Sequence, residues 1–132
     1  MSRLFLAAYP YGADVLALPV VDVDASAAYY ATTFGMREVE RRDAPRAVVM
    51  ERDGVRIGFA ENGGDPAQEG AAVRVADIHT ARAEIEAAGT KTGNWRVDDM
   101  DGVPHQVFFV VAPDGLCYYF HQPLAEAGGS KG

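Results

Sequence analysis

The first half of the chain alternates short apolar runs with one amphipathic segment. Residues 15–21 are apolar, β-branched and too few for an isolated helix, so they predict a buried strand. Pro19 places that strand at a sheet edge or a bulge. Asp22 can cap a helix over 23–34, which Gly35 is placed to end. The apolar face of this helix is formed by Val23, Ala27, Tyr30 and Phe34. Strands are predicted at 37–42, 47–52 and 55–60, the last two joined by the turn Asp53-Gly54.

The second half repeats this order after a glycine-rich stretch. Residues 61–70 contain glycine and proline without apolar periodicity, which is typical of a linker. A strand at 71–75 precedes Asp77, which can cap a helix over 77–88 that Gly89 closes. The apolar face of this helix is formed by Ile78, Ala81, Ile85 and Ala88. Further strands are predicted at 91–97, 106–111 and 116–121, with turns at Asp101-Gly102 and Pro113-Asp114-Gly115.

The two halves therefore read as one unit used twice. The order of capping Asp, closing Gly and Asp-Gly turn is the same in residues 15–60 and 71–121. Two units are too few for a solenoid, so we expect them to pair about a pseudo-twofold axis. The predicted fold class is α+β, with two βαβββ modules forming a curved mixed sheet around a cleft. The whole chain, 1–132, is expected to be a single domain.

Composition narrows the possible partners. The chain has 132 residues, of which 48% are hydrophobic, so one packed domain is expected. The net charge is −7, which disfavours nucleic acid and anionic membranes as partners. Cys117 is the single cysteine, so an intrachain disulfide is impossible and a cysteine-based zinc site has too few thiolates. We expect a cytoplasmic protein, with a degenerate signal peptide at the N-terminus as the alternative.

Two short segments resemble a known superfamily. The phrase Asp22-Val23-Asp24-Ala25-Ser26-Ala27-Ala28-Tyr29-Tyr30, followed by Phe34-Gly35-Met36, resembles the helix signature of the vicinal-oxygen-chelate superfamily. That superfamily includes glyoxalase I, ring-cleaving dioxygenases and bleomycin-resistance proteins. Pro113-Asp114-Gly115 before the last apolar strand resembles its second signature. The resemblance spans about residues 15–121 and implies the paired-module fold, but it does not specify a reaction.

The resemblance also implies where a metal ion would be held. Metal-dependent members use a His or Gln on the first strand and a Glu on the last strand of each module. Counting along this chain places Val15 and Gly70 at the first-strand positions, and Gly58 and Tyr119 at the last-strand positions. Together these four residues do not form an adequate set of metal ligands, so we predict neither a metal ion nor another cofactor.

Candidate binding residues follow from strand alternation. Cys117, Tyr119 and His121 share one face of the last strand and are expected to line the cleft. Of the other two histidines, His79 is expected on a solvated helix face. His105 follows Pro104 at a strand start and is expected either as a rim or turn residue or as a functional one. Trp95 is the next ligand candidate because an indole stacks on planar compounds, and a place in the buried core is the equal alternative. Two more features bear on a ligand. Residues 98–101 are predicted to form an acidic turn, which next to Trp95 could attract a cation. Gly58 would leave space for a ligand in the cleft.

Three functional hypotheses remain open at this point. The leading one is a metal-free small-molecule-binding protein that sequesters a planar or cationic compound. The alternative is a lyase, isomerase or dioxygenase-like enzyme with a displaced metal site, or a metal-free catalyst in which His121 or Tyr119 carries protons. The third is a protein with a filled cleft that acts only through a partner.

Assembly and the N-terminus are also left open. The resemblance implies a homodimer, and the linker is long enough for an exchange of modules between subunits. Within the first 14 residues, Tyr9-Pro10-Tyr11-Gly12 would cover the cleft mouth or form a loose end.

Overall fold

The computed structural model describes residues 3–10, 14–66 and 69–125, and within these ranges the chain forms nine strands and two helices. No helix in these ranges has the length and apolar character needed to cross a membrane. In chain order the elements are β1 (Phe5–Pro10), β2 (Leu18–Pro19), α1 (Val23–Thr33), β3 (Arg37–Asp43), β4 (Arg46–Arg52), β5 (Val55–Ala60), β6 (Gly70–Val75), α2 (Ile78–Ala87), β7 (Gly93–Met100), β8 (Val103–Val111) and β9 (Cys117–Pro123).

The strands form two mixed sheets with matching topology. The first sheet has the order β2-β5-β4-β3, and the second has the order β1-β6-β9-β8-β7. In each module the last strand lies parallel to the first, and the other two strands follow antiparallel. The expected βαβββ modules are thus confirmed, although they form two sheets instead of one continuous sheet.

Local signals explain both helices. The Asp22 carboxylate accepts hydrogen bonds from two backbone N–H groups of the first turn of α1, and Asp77 does the same for α2. Gly35 and Gly89 follow the helices with positive φ angles of 67° and 96°. One expectation for α2 was wrong: the helix ends at Ala87, and Ala88, its C-cap residue, is exposed. The other predicted face residues of the two helices are buried: Val23, Ala27, Tyr30, Phe34, Ile78, Ala81 and Ile85.

The N-terminal region differs from the sequence-based expectation. The strand predicted at 15–21 is reduced to β2, two residues at the edge of the first sheet, as Pro19 predicted. Residues 5–10 form β1, which pairs antiparallel with β6. Its two alanines and its terminal proline are weak strand formers, and pairing with a distant strand stabilises β1. Tyr11 and Gly12 lie outside the described residues.

The hairpin of the second module is longer than predicted. Asp98, Asp99 and Met100 belong to β7 instead of an acidic turn, because the turn itself is confined to Asp101-Gly102. Strand β8 likewise begins at Val103. The linker 61–70 is described only in part, since residues 67 and 68 lie outside the described ranges and Gly70 already belongs to β6.

One hydrophobic core joins the helix-facing sides of both sheets. The Tyr30 ring of α1 lies 4.4 Å from the Phe59 ring of the first sheet and 5.4 Å from the Tyr118 ring of the second. The Tyr30 hydroxyl donates a hydrogen bond to the Tyr118 hydroxyl. Burial, followed by the nearby Tyr118 and Asp114, raises the pKa of Tyr30 well above its usual value. Because Tyr118 is held in this core, its neighbour Tyr119 must point to the other side of β9.

Candidate functional site

We call the side of each sheet that faces away from the helices its distal face. On β9, Leu116, Tyr118 and Phe120 are completely buried in the core. The alternating residues Cys117, Tyr119 and His121 therefore lie on the distal face of the second sheet, as predicted. Their functional role stays a prediction.

Tyr119 is the centre of an ordered aromatic and polar group. Its hydroxyl donates a 2.8 Å hydrogen bond to the Asp98 carboxylate on β7. Its ring meets the ring of Phe109, its partner on β8, edge to face at 4.8 Å. Burial, and then the hydrogen bond to Asp98, raise the pKa of Tyr119 to about 12. The phenol is consequently protonated and fixed in orientation at neutral pH, with part of its side chain still accessible.

Asp98 is itself neutralised by a basic neighbour. The Arg96 guanidinium forms an ion pair with the Asp98 carboxylate at 2.8 Å and lies over the Phe109 ring at 5.3 Å. The hydrogen bonds from Arg96 and Tyr119 lower the pKa of Asp98. This carboxylate is therefore engaged by two partners and is poorly placed to attract a separate cation.

His121 lies next to Tyr119 on the same face, in a different electrostatic setting. Only 3% of its surface is exposed, and neither ring nitrogen has a hydrogen-bond partner among the described residues. Its ring lies 5.3 Å from the His105 ring and 5.8 Å from the Tyr119 ring. Burial, and then electrostatic interactions with His105 and Arg74, lower the pKa of His121 to about 4. The imidazole is thus neutral at pH 7.

His105 is more central than the sequence predicted. A rim or turn position was one of its two expected places, but it is 6% exposed and its Nδ1 atom lies 3.0 Å from the Val103 carbonyl oxygen. Sequence reasoning also missed Phe109 and Arg74. Alternation along β8 places residues 105, 107 and 109 on one face, and this signal could have found Phe109.

Trp95 does not share the face of Tyr119, and the expectation that both line one cleft was wrong. Its ring stacks at 6.3 Å on Phe108, a core residue, and the Arg82 guanidinium of α2 lies 4.6 Å from its centre. His79 of α2 lies 5.3 Å away. Trp95 is therefore on the helix side of the second sheet, because β7 places alternate residues on opposite faces and Arg96 and Asp98 occupy the distal one.

Gly58 does not leave space for a ligand, which corrects a second expectation. The Gly58 amide donates a 2.9 Å hydrogen bond to the Val15 carbonyl oxygen, and the chain then passes over the glycine at Leu16. A Cβ atom at position 58 would lie 2.8 Å from the Leu16 carbonyl carbon and closer still to its oxygen. The glycine is required by this close approach of backbone to backbone.

The residues at the four implied metal positions do not fit a metal ion. Val15 and Gly70 have no donor side chain, and the space beside Gly58 is occupied by the backbone of Leu16. The Tyr119 phenol stays protonated and donates its hydrogen bond to the Asp98 carboxylate. In residues 3–10, 14–66 and 69–125, no three His, Cys, Asp or Glu side chains lie close enough together to hold a metal ion. Cys117 forms no disulfide and is half-buried.

The distal face of the first sheet carries a shallow, charged depression of about 240 Å³. Cross-strand ion pairs neutralise much of its charge, including Arg56 with Glu51 at 3.1 Å, as the hairpin register predicts. The depression is lined by Asp14, Leu16, Glu40, Arg42, Val49 and Arg56, among others. Its lining combines charged with aliphatic side chains, in contrast to the aromatic face of the second sheet.

The protein consists of two βαβββ modules, each with its helix on one side of the sheet and the distal face on the other. This arrangement is that of the paired-module α+β proteins. The profile of the Glyoxalase/Bleomycin resistance protein/Dioxygenase superfamily matches residues 12–117. The chain belongs to this superfamily. Among curated proteins, none matches the chain.

Solved structures with this fold include several resistance proteins. A bleomycin resistance determinant encoded on transposon Tn5 is 23% identical, with a TM-score of 0.64 over 85% of this chain and 98% of that one. The antibiotic-binding protein TnmS3 from Streptomyces sp. CB03234 is 15% identical, with a TM-score of 0.67 over 86% and 98%. The fosfomycin resistance protein FosX from Listeria monocytogenes is 16% identical, with a TM-score of 0.64 over 88% and 95%. At these identities the likeness concerns the fold.

Proposed function

We propose that this protein binds a planar small organic molecule on the distal face of its second sheet, without the help of a metal ion. The observation that carries the proposal is the pair of partly exposed rings, Tyr119 and Phe109, fixed edge to face and held by Asp98. Rigid aromatic side chains contribute binding energy at little cost in conformational entropy. The structural likeness to proteins named for antibiotic binding and resistance supports sequestration as the biological use.

Proton transfer by these side chains is poorly supported. A general acid or base works best with a pKa near the working pH. The pKa of Tyr119 is raised to about 12 and that of His121 is lowered to about 4, so neither is poised near neutrality. These two groups therefore do not favour the enzymatic alternative, and we retain binding as the function. The cytoplasm stays our proposed location, in keeping with a chain that has a single cysteine.

The proposal is tested by titrating the protein with 2-naphthalenemethanol, a planar probe without charge. Tyr119→Ala is expected to weaken binding about tenfold, because a stacking partner worth about 1.4 kcal/mol is lost. Tyr119→Phe keeps the ring and is expected to keep most of the affinity. Trp95→Ala, on the opposite side of the sheet, serves as the control and should leave affinity unchanged. Isothermal titration calorimetry measures all four proteins. Equal affinity of Tyr119→Ala and the unaltered protein would contradict the assignment.

We further propose that a second copy of the chain completes the cleft. The helix-facing sides of both sheets pack together in one hydrophobic core. Each distal face therefore forms one side of a cleft, and the opposite side has to come from elsewhere. Twofold pairing would place the charged face of one copy opposite the aromatic face of the other, with or without an exchange of modules. Light scattering after gel filtration is expected to give twice the 14.1 kDa chain mass. A monomer at micromolar concentration would rule this arrangement out.

A further inference from the structure

A depression of about 280 Å³ lies where the start of α1 meets the turn between β8 and β9. We call it the α1 pocket. The first module contributes Val21, Asp22 and three residues of α1 to its wall, and the second module contributes Pro113 and Asp114. The α1 pocket is therefore formed by both modules, and none of its lining residues belongs to the distal face that is proposed to bind the planar ligand.

The pseudo-twofold repeat places an equivalent set of residues at the start of α2. Residues 21–22 before α1 correspond to residues 76–77 before α2, because Asp22 and Asp77 are the two helix caps. Residues 113–114 correspond to residues 52–53, because each pair precedes the glycine of an equivalent turn. What fills the space beside α2 thus indicates which kind of group fits the α1 pocket.

On the α2 side, the chain's own residues 3–5 lie in this space and lead into β1. The Leu4 and Phe5 amides donate hydrogen bonds to the Asp53 carboxylate at 2.8 and 3.0 Å. The Ala76 amide donates to the Leu4 carbonyl oxygen at 2.8 Å. The Arg3 side chain donates to the Asp53 carbonyl oxygen at 2.9 Å. A basic residue followed by two apolar residues therefore satisfies this arrangement.

The corresponding polar groups of the α1 pocket can receive such a segment. The Val21 amide, which corresponds to that of Ala76, has no hydrogen-bond partner among the described residues, and Val21 is 86% exposed. The Asp114 carboxylate accepts hydrogen bonds from the Ser26 hydroxyl at 2.8 Å and from the Leu116 amide at 3.0 Å. A carboxylate offers about four acceptor positions, so Asp114 can accept further donors.

The wall of the α1 pocket is more apolar than its counterpart. On the α2 side, Arg52 and Glu84 form an ion pair at 2.9 Å. The corresponding residues of the α1 pocket are Pro113 and Tyr29. An apolar side chain of a bound segment can pack against this proline and this ring, which removes apolar surface from water.

The features of β2 limit the length of a bound segment. Next to the pocket, the Asn62 side chain donates a 3.2 Å hydrogen bond to the Ala17 carbonyl oxygen, and Pro19 has no N–H group. The edge of β2 therefore offers little for strand pairing, in contrast to the edge of β6, along which β1 continues. Only the counterpart of residues 3–5 is expected to be bound.

We infer that the α1 pocket binds a short segment of a partner protein in which a basic residue is followed by two apolar residues. The Val21 amide donates to the backbone of this segment and the Asp114 carboxylate accepts from its amides, as Ala76 and Asp53 do for residues 3–5. Asp114 and Asp22 attract the basic side chain, because neither forms an ion pair within the described parts of the chain. The net charge of −7 acts in the same direction.

Two acetylated and amidated peptides test the inference: Ser-Arg-Leu-Val-Ala and Ser-Glu-Leu-Val-Ala. The arginine peptide is expected to bind about tenfold more tightly than the glutamate peptide, because only its basic side chain complements Asp114 and Asp22. In Asp114→Asn most of this preference should be lost, since the amide keeps the shape and removes the charge. Isothermal titration calorimetry measures both peptides on each protein.

A second pair of variants covers the case in which Asp114→Asn does not fold. Ala25→Arg, on the exposed surface of α1, fills the pocket and adds a like charge, so it should abolish binding of the arginine peptide. Ala28→Arg is the matched control, because Ala28 is exposed on the same helix and does not line the pocket. Binding that survives Ala25→Arg would contradict the inference.

Amide resonances distinguish the α1 pocket from other places where the peptide binds. With the arginine peptide, the resonance of Val21 should shift, while those of Leu4 and Phe5 stay in place. Shifts at Leu4 and Phe5 with Val21 unchanged would mean that the peptide displaces the chain's own N-terminal segment, and would overturn the inference. Equal affinity for the two peptides, no binding of either at millimolar concentration, or equally tight binding of N-acetylarginine amide would overturn it as well.

Discussion

Gly58→Ala is expected to destabilise the protein by about 2–3 kcal/mol, in the upper part of the range of about 1–3 kcal/mol that is usual for forcing extra volume into a packed site. The added methyl group would lie 2.8 Å from the Leu16 carbonyl carbon, which is backbone and cannot rotate away. The segment around Leu16 would have to move, and the 2.9 Å hydrogen bond between the Gly58 amide and the Val15 carbonyl would be lost or weakened. Urea denaturation measures the change in the free energy of unfolding.

Gly93→Ala is the matched control for this substitution. Gly93 also lies in a strand, but no atom of the described residues is within 4 Å of the place that a Cβ atom would take there. We expect a change of at most about 0.5 kcal/mol, as for other surface positions. If both variants lose the same stability, the cost comes from replacing glycine in a strand and the close approach at Leu16 is not the cause.

Most of the fold that could be predicted was predicted from local sequence signals. Asp22 and Asp77 cap helices through contacts with residues two and three positions away, and the Asp-Gly turns close hairpins within a few residues. Such interactions depend on neighbours in the sequence and can be recognised there. Alternation along β9 likewise predicts that Tyr119 and His121 share one face, because residues two positions apart on a strand point to the same side.

The errors arose where distant parts of the chain meet. Strand β1 exists because it pairs with β6, some 65 residues away, and no local pattern indicates that pairing. The requirement for glycine at position 58 comes from the backbone of Leu16, which sequence spacing cannot place over β5. Trp95 was assigned by its chemistry alone, whereas its face is set by the register of β7, which shifts between Gly93 and Arg96. His105 and Arg74 join His121 through the pairing of three strands.

Acidification from pH 6.5 to pH 4 is expected to lower the stability of the protein by about 3 kcal/mol through His121 alone. In the unfolded chain this imidazole binds a proton below its ordinary pKa of 6.5, whereas in the folded protein burial, His105 and Arg74 hold the pKa at about 4. Between these values the unfolded state binds more protons, so stability falls as the pH falls. About 2 kcal/mol of the loss should be present at pH 5.

Carboxylates contribute in a different pH range. Asp53, Asp77 and Asp98 have lowered pKa values, so their stabilising contribution is lost only as the pH falls below the ordinary value of 3.8 for an aspartate. The interval from pH 6.5 to 4.5 therefore reports mainly on His121 and on the groups that face it: Arg74 from β6, His105 from β8 and Tyr119 from β9.

His121→Phe isolates this contribution, whatever its effect on stability at neutral pH. The variant should show a flatter dependence of the unfolding free energy on pH between 6.5 and 4.5, whereas His79→Gln, on exposed surface, should follow the unaltered protein. Urea denaturation at fixed protein concentration across this interval measures the slope for each. A slope in His121→Phe as steep as that of the unaltered protein would mean that His121 is protonated in the folded state, with the ring reaching water or an acidic partner.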